Sequence, residues 1–423
     1  NTGEIGAPNL ASSFAKVDFT DRLRQILEGS TIVHTGSENK INDEENEYYV
    51  AKNGMGIRVE REGGRVVRAQ GGFQLENQRA GLSATAPGII YCNVDLTENT
   101  KFKNGYTFTM DAPLIPAARS VFGVLSNMPK GAEGVPADYS EQTADTNPFY
   151  EFFKLCNDYD EGLILGSGLV DESEYNEDIH KEAQAKQRAL NLYKTFLSDN
   201  TVDQRVQFFN NYNYTILAPS NEAILAAVEL GLPTWESIDR DYRLLDDDPE
   251  NDTDLEKDLG DLTTKEDSLN IQAKIVYLTN FVRSHFVDKS YFADKATMSE
   301  EDIFSSSFSR ETGMFVKHKA KRDQSGVLSV NDTYGGNWIN SISESHQLVT
   351  QNIMTCDREL SGEVKKSANK QGNLSGIKLE GASYAVVHLM DGVLNFKELK
   401  DGRYEDFEDV MEARRFIKQF EIR

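Results

Sequence analysis

His388 is the residue best placed to do chemistry. It lies in Ala385-Val-Val-His-Leu-Met-Asp-Gly-Val-Leu394, three positions before Asp391. An imidazole beside a carboxylate can serve as a general base. Its neighbours point elsewhere, because Val387 and Leu389 set it inside a β-forming apolar run. A lone histidine there is expected to be a core residue satisfied by Asp391 or by a backbone carbonyl. His285 has a similar apolar setting. His34, His180, His318 and His346 form no HExxH or HxH pattern and stand at no metal spacing from carboxylates. Cys92, Cys156 and Cys356 are far apart and odd in number, so they predict neither a zinc site nor a disulfide framework. The Gly162–Gly168 run follows a helix rather than a strand, which argues against a phosphate cradle, and no Gly-x-Ser-x-Gly elbow occurs. With 69 acidic residues the chain has carboxylates enough for glycosidase work, but nothing in the sequence singles out a pair. No catalytic residue, metal or cofactor is expected.

The elements around these residues set the frame. Tyr214-Thr-Ile-Leu-Ala-Pro-Ser-Asn-Glu-Ala-Ile224 reads as a strand that must end near Ala218, since a residue before proline is pushed out of the helical region. Ser220 or Asn221 then caps a helix whose first turn carries Glu222. Thr215, Asn221 and Asp391 read as buried polar groups that fix this corner. Asp391-Gly392 predicts a turn after the His388 strand. Upstream, Phe19, Leu23 and Ile26/Leu27 recur at helical spacing, and Gly-punctuated strands follow at Thr31–Val33, Tyr48–Ala51, Ile57–Glu60, Arg65–Ala69, Ile89–Val94 and Tyr106–Met110. Residues 126–146 read as a Pro/Gly linker. Asn147-Pro148 predicts a capped helix with Phe149, Phe152, Phe153, Cys156 and Tyr159 on its apolar face. A longer helix is predicted over about 174–198, another from Ile271 to Phe286, and further strands at Met314–Lys317, Val327–Val330, Leu348–Ile353, Ile377–Leu379 and Tyr384–Leu389. The acidic stretch 239–268 lacks the ligand alternation of a calcium loop and reads as a solvated insertion. Tyr404–Phe420 reads as a charged amphipathic helix.

Bulk composition narrows the classes. The 423 residues carry a net charge of −24, which disfavours nucleic acid and anionic lipid as partners. No run approaches the roughly 18 apolar residues of a membrane span. Asn1–Pro8 shows no basic or apolar leader pattern, so the chain is expected to be either never exported or a processed form with any signal or lipid anchor upstream.

The two segments around Thr215 and His388 resemble the signature boxes of the fasciclin family. Thr215, Ala218, Pro219, Ser220, Asn221 and Ala223 match the first box, with Ile224 where an aromatic is usual. Val386–Leu394 matches the second throughout. Leu278-Thr-Asn-Phe-Val-Arg-Ser-His-Phe-Val287 is similar to the family's helix and histidine element, with Ser284 in place of an aromatic before His285. Phe19–Leu27 with Ile32-Val33-His34, and Asn104–Leu114, parallel the back half of the same domain. There Met110-Asp111 falls over Met390-Asp391, Leu114 over Leu394, and Phe108 over His388.

The resemblance implies an α+β fold, a wedge of two small β-sheets with packed helices, in two tandem copies. Residues 1–125 would form a partial copy, 147–400 a complete one with the acidic insertion, and 401–423 a helical extension. Thr215, Ala218, Pro219, Ser220, Asn221, His285, His388 and Asp391 would be its structural motif. The function implied is non-enzymatic adhesion or binding at the cell surface, similar to outer-membrane lipoproteins of the Bacteroidota type that accompany nutrient uptake. The partners implied are other envelope proteins and glycans, with Phe407, Phe416 and Phe420 as partner contacts. The alternative is a glycan- or peptide-processing hydrolase with an atypical site.

Overall fold

The computed structural model describes residues 23, 26–32, 46–79, 82, 88–97, 101–102, 105–117, 119–126, 143–170, 179–196, 206–208, 213–244, 265–293, 298–332, 336–342, 348–355, 379–396, 408 and 410–420. Helices and sheets are both present, as an α+β chain requires. A helical turn at 26–29 leads to Ile32, which bridges Ala51. Strands β1 (Asn46–Val50), β2 (Gly56–Glu62), β3 (Arg65–Gln70) and β4 (Cys92–Asn93) then form an antiparallel meander in that order. The turn predicted between β2 and β3 falls at Gly63-Gly64, whose φ values of 56 and 77 lie in the region that favours glycine. Helix α1 (Gly72–Arg79), the short ribbon β5 (Lys101–Phe102) and β6 (Gly105–Tyr106), and helix α2 (Val121–Leu125) complete this half. The strand expected over Ile89–Val94 is confined to Cys92–Asn93, with a bridge at Val94.

The second half opens with α3 (Tyr150–Asn157), α4 (Glu161–Gly166) and α5 (Ile179–Asn191). Asn147 is not the helix cap expected of it, because Phe149 holds that position. Asn147 instead accepts a hydrogen bond from the Phe149 amide at 2.9 Å and donates to the Leu125 carbonyl at 3.0 Å. Strand β7 (Asn213–Pro219) runs into α6 (Asn221–Glu229), followed by α7 (Trp235–Arg243) and the long α8 (Lys265–Ser284). The acidic insertion is therefore narrower than 239–268: its first residues finish α7 and its last begin α8, while 245–264 lie outside the described residues. Strands β8 (Phe286–Asp288), β9 (Met298–Phe308), β10 (Phe315–Arg322), β11 (Leu328–Asn331), β12 (Trp338–Asn340), β13 (Leu348–Thr355) and β14 (Leu379–Met390) follow, then α9 (Val410–Lys418).

These strands pair in the order β12-β11-β10-β9-β8-β7-β14-β13. Strand alternation sorts the faces. Tyr214, Ile216, Ala218, Ala385, Val387 and Leu389 meet a helical layer that includes Phe152, Phe153, Ile275, Leu278, Phe281 and Phe416. Leu217, Val287, Ile303, Ala320, Val330 and Met390 form a second core on the opposite face. The two halves meet where Tyr48 stacks on Phe292 at 3.5 Å and Leu75 joins Tyr384 and Val386. Gly56 faces the Tyr384 ring so closely that a Cβ would come within 2.2 Å of it.

The first meander matches β8–β12 pair for pair. Ile32 opposes Ala51 as Val287 opposes Ser305. Tyr49 opposes Ile57 as Ile303 opposes His318. Val59 opposes Ala69 as Ala320 opposes Val330. Ala69 opposes Cys92 as Val330 opposes Ile339. Finally, Val94 bridges Met110 as Ser341 bridges Met390. Walking along either ladder takes identical steps, so each side chain keeps its face.

Candidate functional site

β7 and β14 lie side by side and parallel, with Thr215 against Val386 and Leu217 against His388. This brings the two sequence segments onto one loop. The Thr215 hydroxyl donates to the Lys289 carbonyl at 2.8 Å and accepts from the Tyr291 amide at 2.9 Å. His388 donates from Nε2 to the Tyr291 carbonyl at 2.7 Å. Lys289 holds φ 65, a left-handed conformation that costs a non-glycine residue about 1–2 kcal/mol, and these three bonds clamp it. Of the two partners the sequence allowed for His388, the backbone carbonyl is the one present.

The corner after β7 is held equally tightly. Ala218 is buried, Pro219 ends the strand, and Ser220 caps α6 by accepting from the Ala223 amide at 3.2 Å. The Ser220 amide donates to the Met390 carbonyl at 2.8 Å, tying one segment to the other. Asn221 donates to the carbonyls of Ala144 and Asn147 at 2.9 and 2.8 Å and accepts from the Glu151 amide at 3.0 Å. It therefore anchors the approach to α3 and does not cap α6.

His285 is fully buried. Leu394 donates its amide to Nε2 at 3.0 Å, so the ring proton lies on Nδ1, which donates to the Phe281 carbonyl at 2.9 Å. Burial pushes its pKa down to about 3 and that of His318 down to about 4. Both rings are neutral at ordinary pH, and neither opens to solvent. Cys156 is buried and its thiol pKa is raised, while burial lifts Cys92 to about 11, so neither offers a thiolate.

Asp391 departs from expectation. It is exposed rather than buried, and it does not hold His388. Its carboxylate accepts from the Asn340 amide at 2.6 Å and from Asn340 Nδ2 at 3.2 Å, and its own amide donates back to the Asn340 carbonyl at 2.9 Å. The same clasp closes the first meander, where Asp111 accepts from the Asn93 amide at 2.7 Å and from Nδ2 at 2.8 Å. A β-turn carboxylate facing an asparagine on the neighbouring strand produces it in both places. Nothing in the local sequence around Asn93 or Asn340 marked them as partners.

The expected partner contacts are corrected as well. Phe416 and Phe420 are buried in the helical core and do not face outward. Phe420 packs on Phe308 at 5.6 Å and against the Arg283 guanidinium at 4.4 Å, and the Phe208 ring also meets that guanidinium at 4.0 Å. Arg283 donates to the Leu192 carbonyl at 3.2 Å, and burial depresses its pKa to about 9. Arg414 adds two bonds to the Gly168 carbonyl, at 2.9 and 2.6 Å. The glycine-rich run at 162–168 thus presents a carbonyl to an arginine, the opposite of an anion cradle. Phe407 lies outside the described residues.

One open cleft of about 230 Å³ lies between α3 and α7, lined by Glu151, Lys154, Asp158, Trp235, Glu236 and Asp239 among others. Trp235 donates to the Leu155 carbonyl at 2.9 Å. Partial desolvation raises the pKa of the Asp158 carboxyl although the residue remains exposed at the surface; Asn157 and Lys154 work against this and Glu236 adds to it. The cleft's charge suits a cationic group. Among the described residues no three His, Cys, Asp or Glu side chains gather as metal ligands, and no helix is long and apolar enough to cross a membrane. No family model matches the chain, and no curated protein matches it.

Proposed function

We propose that this chain is a non-enzymatic binding or adhesion protein built on fasciclin-like units, with a partial or degenerate copy over residues 1–125 and a fuller one over 147–400. One observation carries the proposal: the polar residues of both motif segments are bound to backbone groups. Thr215 and His388 clamp the 289–291 loop, Asn221 anchors the approach to α3, and His285 ties α8 to Leu394. Side chains fixed in this way stabilise a fold and are not poised to meet a substrate. The matched meanders and their matched clasps support the two-unit reading. Placement at the cell envelope, as an accessory to an outer-membrane uptake complex, belongs to the same proposal and rests on the sequence resemblance.

A second reading, hydrolysis of glycans or peptides, draws on the acidic cleft, where the Asp158 carboxyl, with its pKa raised, lies among the carboxyl groups of Glu151, Glu236 and Asp239. Two variants separate the readings. His388→Leu leaves the Tyr291 carbonyl without its donor and should lower stability by about 1–3 kcal/mol in urea unfolding. Asp158→Asn should leave the fold intact. The full chain should show no turnover on a panel of polysaccharides, aryl glycosides and peptides. Turnover that disappears in folded Asp158→Asn or folded His388→Leu overturns the binding reading.

A further inference from the structure

A small pocket of about 20 Å³ lies between the end of α5 and α9, lined by Leu192, Tyr193, Arg414, Ile417 and Lys418 among others. Its described lining carries two cationic side chains and no carboxylate, in a chain whose net charge is −24. Tyr193 is 4% exposed, and among the described residues its hydroxyl has no hydrogen-bond partner. A buried hydroxyl in that state lowers stability unless something in the pocket accepts its proton. A space of this size takes one particle, since a water needs about 10–15 Å³.

The charge around the pocket decides what that particle is. Arg283 lies next to it, donating to the Leu192 carbonyl at 3.2 Å. Its side chain is buried, its Nε has no partner, and no carboxylate among the described residues pairs with it. The Phe208 and Phe420 rings that meet the guanidinium offset only part of the cost of burying a cation. Arg414 and Lys418, four residues apart on α9, bring two more positive charges to the same place. The Arg414 charge is felt at the Tyr193 hydroxyl, where it opposes the rise in pKa that burial imposes. The Leu192 and Gly168 carbonyls already accept from Arg283 and Arg414, which offsets their repulsion of an anion.

We propose that this pocket binds one small monovalent anion of halide size, held by the Tyr193 hydroxyl, Arg414 and Lys418, as a counter-ion at the junction of α5 and α9. The hydroxyl donates to the ion, and the two cations of α9 with Arg283 beside them supply the field. A water would satisfy the hydroxyl but leave the buried Arg283 charge uncompensated. The site lies apart from the acidic cleft and from both motif segments, so it stands whether or not the adhesion reading does.

The test measures chloride NMR line broadening by the full-length chain, with sodium gluconate replacing sodium chloride at fixed ionic strength. The chain should broaden the chloride line, and bromide should reverse the effect by competition. Tyr193→Phe keeps the ring and deletes the donor, and should weaken chloride binding about tenfold. Lys418→Gln should weaken it about threefold, and because Lys418 is exposed this variant folds whether or not Tyr193→Phe does. Lys319→Gln, which removes an exposed cation on β10 outside the lining, should leave binding within about twofold. Absence of broadening by the unmodified chain overturns the proposal, because water alone then fills the pocket. Broadening that is unchanged in Tyr193→Phe and Lys418→Gln overturns it as well, by placing the chloride elsewhere.

Discussion

Ser30 and His285 occupy the same step of two matched ladders. The Ser30 amide donates to the Leu27 carbonyl at 3.2 Å, and the His285 amide donates to the Val282 carbonyl at 3.2 Å. Backbone geometry is alike, and surroundings differ completely: His285 is enclosed by Phe152 and Phe281, while Ser30 stands at the exposed end of a helical turn. His318 corresponds to Ile57, and the resemblance places Phe108 over His388, so the first half carries none of the three buried histidines. A meander closed by an Asn–Asp clasp holds its register in either setting, whereas His285 is buried where a helical layer surrounds it and backbone groups satisfy both ring nitrogens.

Acid should expose this contrast most strongly. In the unfolded chain His285 and His318 titrate near 6.5, and in the folded chain they stay neutral down to about 3 and about 4. Below pH 6.5 the unfolded state takes up protons that the folded state refuses, so stability falls as pH drops and is unaffected by these groups above it. Each such imidazole contributes up to about 1.4 kcal/mol per pH unit. Both tryptophans, Trp235 and Trp338, lie in the second half, so their fluorescence reports that half alone. Its urea midpoint should fall steeply between about pH 6.5 and about pH 4. A flat profile would show that the rings are accessible to protons in the native state.

A smaller effect is expected at α9. Phe420→Ala removes a ring that packs on Phe308 and Arg283, and should destabilise the second half by about 3–5 kcal/mol. Met411→Ala, on the exposed side of the same helix, should change stability by less than about 0.5 kcal/mol. Similar small effects from both would detach α9 from the core and return Phe420 to the role of a partner contact.

Much of this was legible from sequence, for physical reasons that particular residues show. Pro219 after an apolar run fixes a strand end, Ser220 fixes a cap, and Gly63-Gly64 supply a turn that few other residues tolerate. Strand β9 was missed because Met298–Phe308 is acidic at one end and serine-rich at the other, and its strength comes from tertiary pairing rather than propensity. Ser305 reaches the Val316 carbonyl at 3.1 Å and Ser306 the Arg283 carbonyl at 2.7 Å, contacts that no local pattern encodes. Helix α1 was missed for a similar reason: Gln74, Glu76 and Asn77 are buried, so no apolar stripe marks it. Phe416 and Phe420 were assigned outward because an amphipathic helix looks the same whether its apolar face meets its own core or a partner. Asp391 was placed inside because its sequence neighbours are apolar, although the turn after β14 carries it to the surface.

Native-state hydrogen exchange of the full chain, comparing the Ser30 and His285 amides, tests the difference between the two halves most directly. These amides make hydrogen bonds of equal length at equivalent positions, so a difference in protection measures the helical layer that covers His285 and is not seen over Ser30 among the described residues. The Asp111 and Asp391 amides, which close the two clasps, serve as internal references and should be protected to similar degrees. Ser30 should exchange at least about a hundredfold faster than His285. Equal protection of Ser30 and His285 would contradict the account, because the first helical turn would then be as well covered as α8.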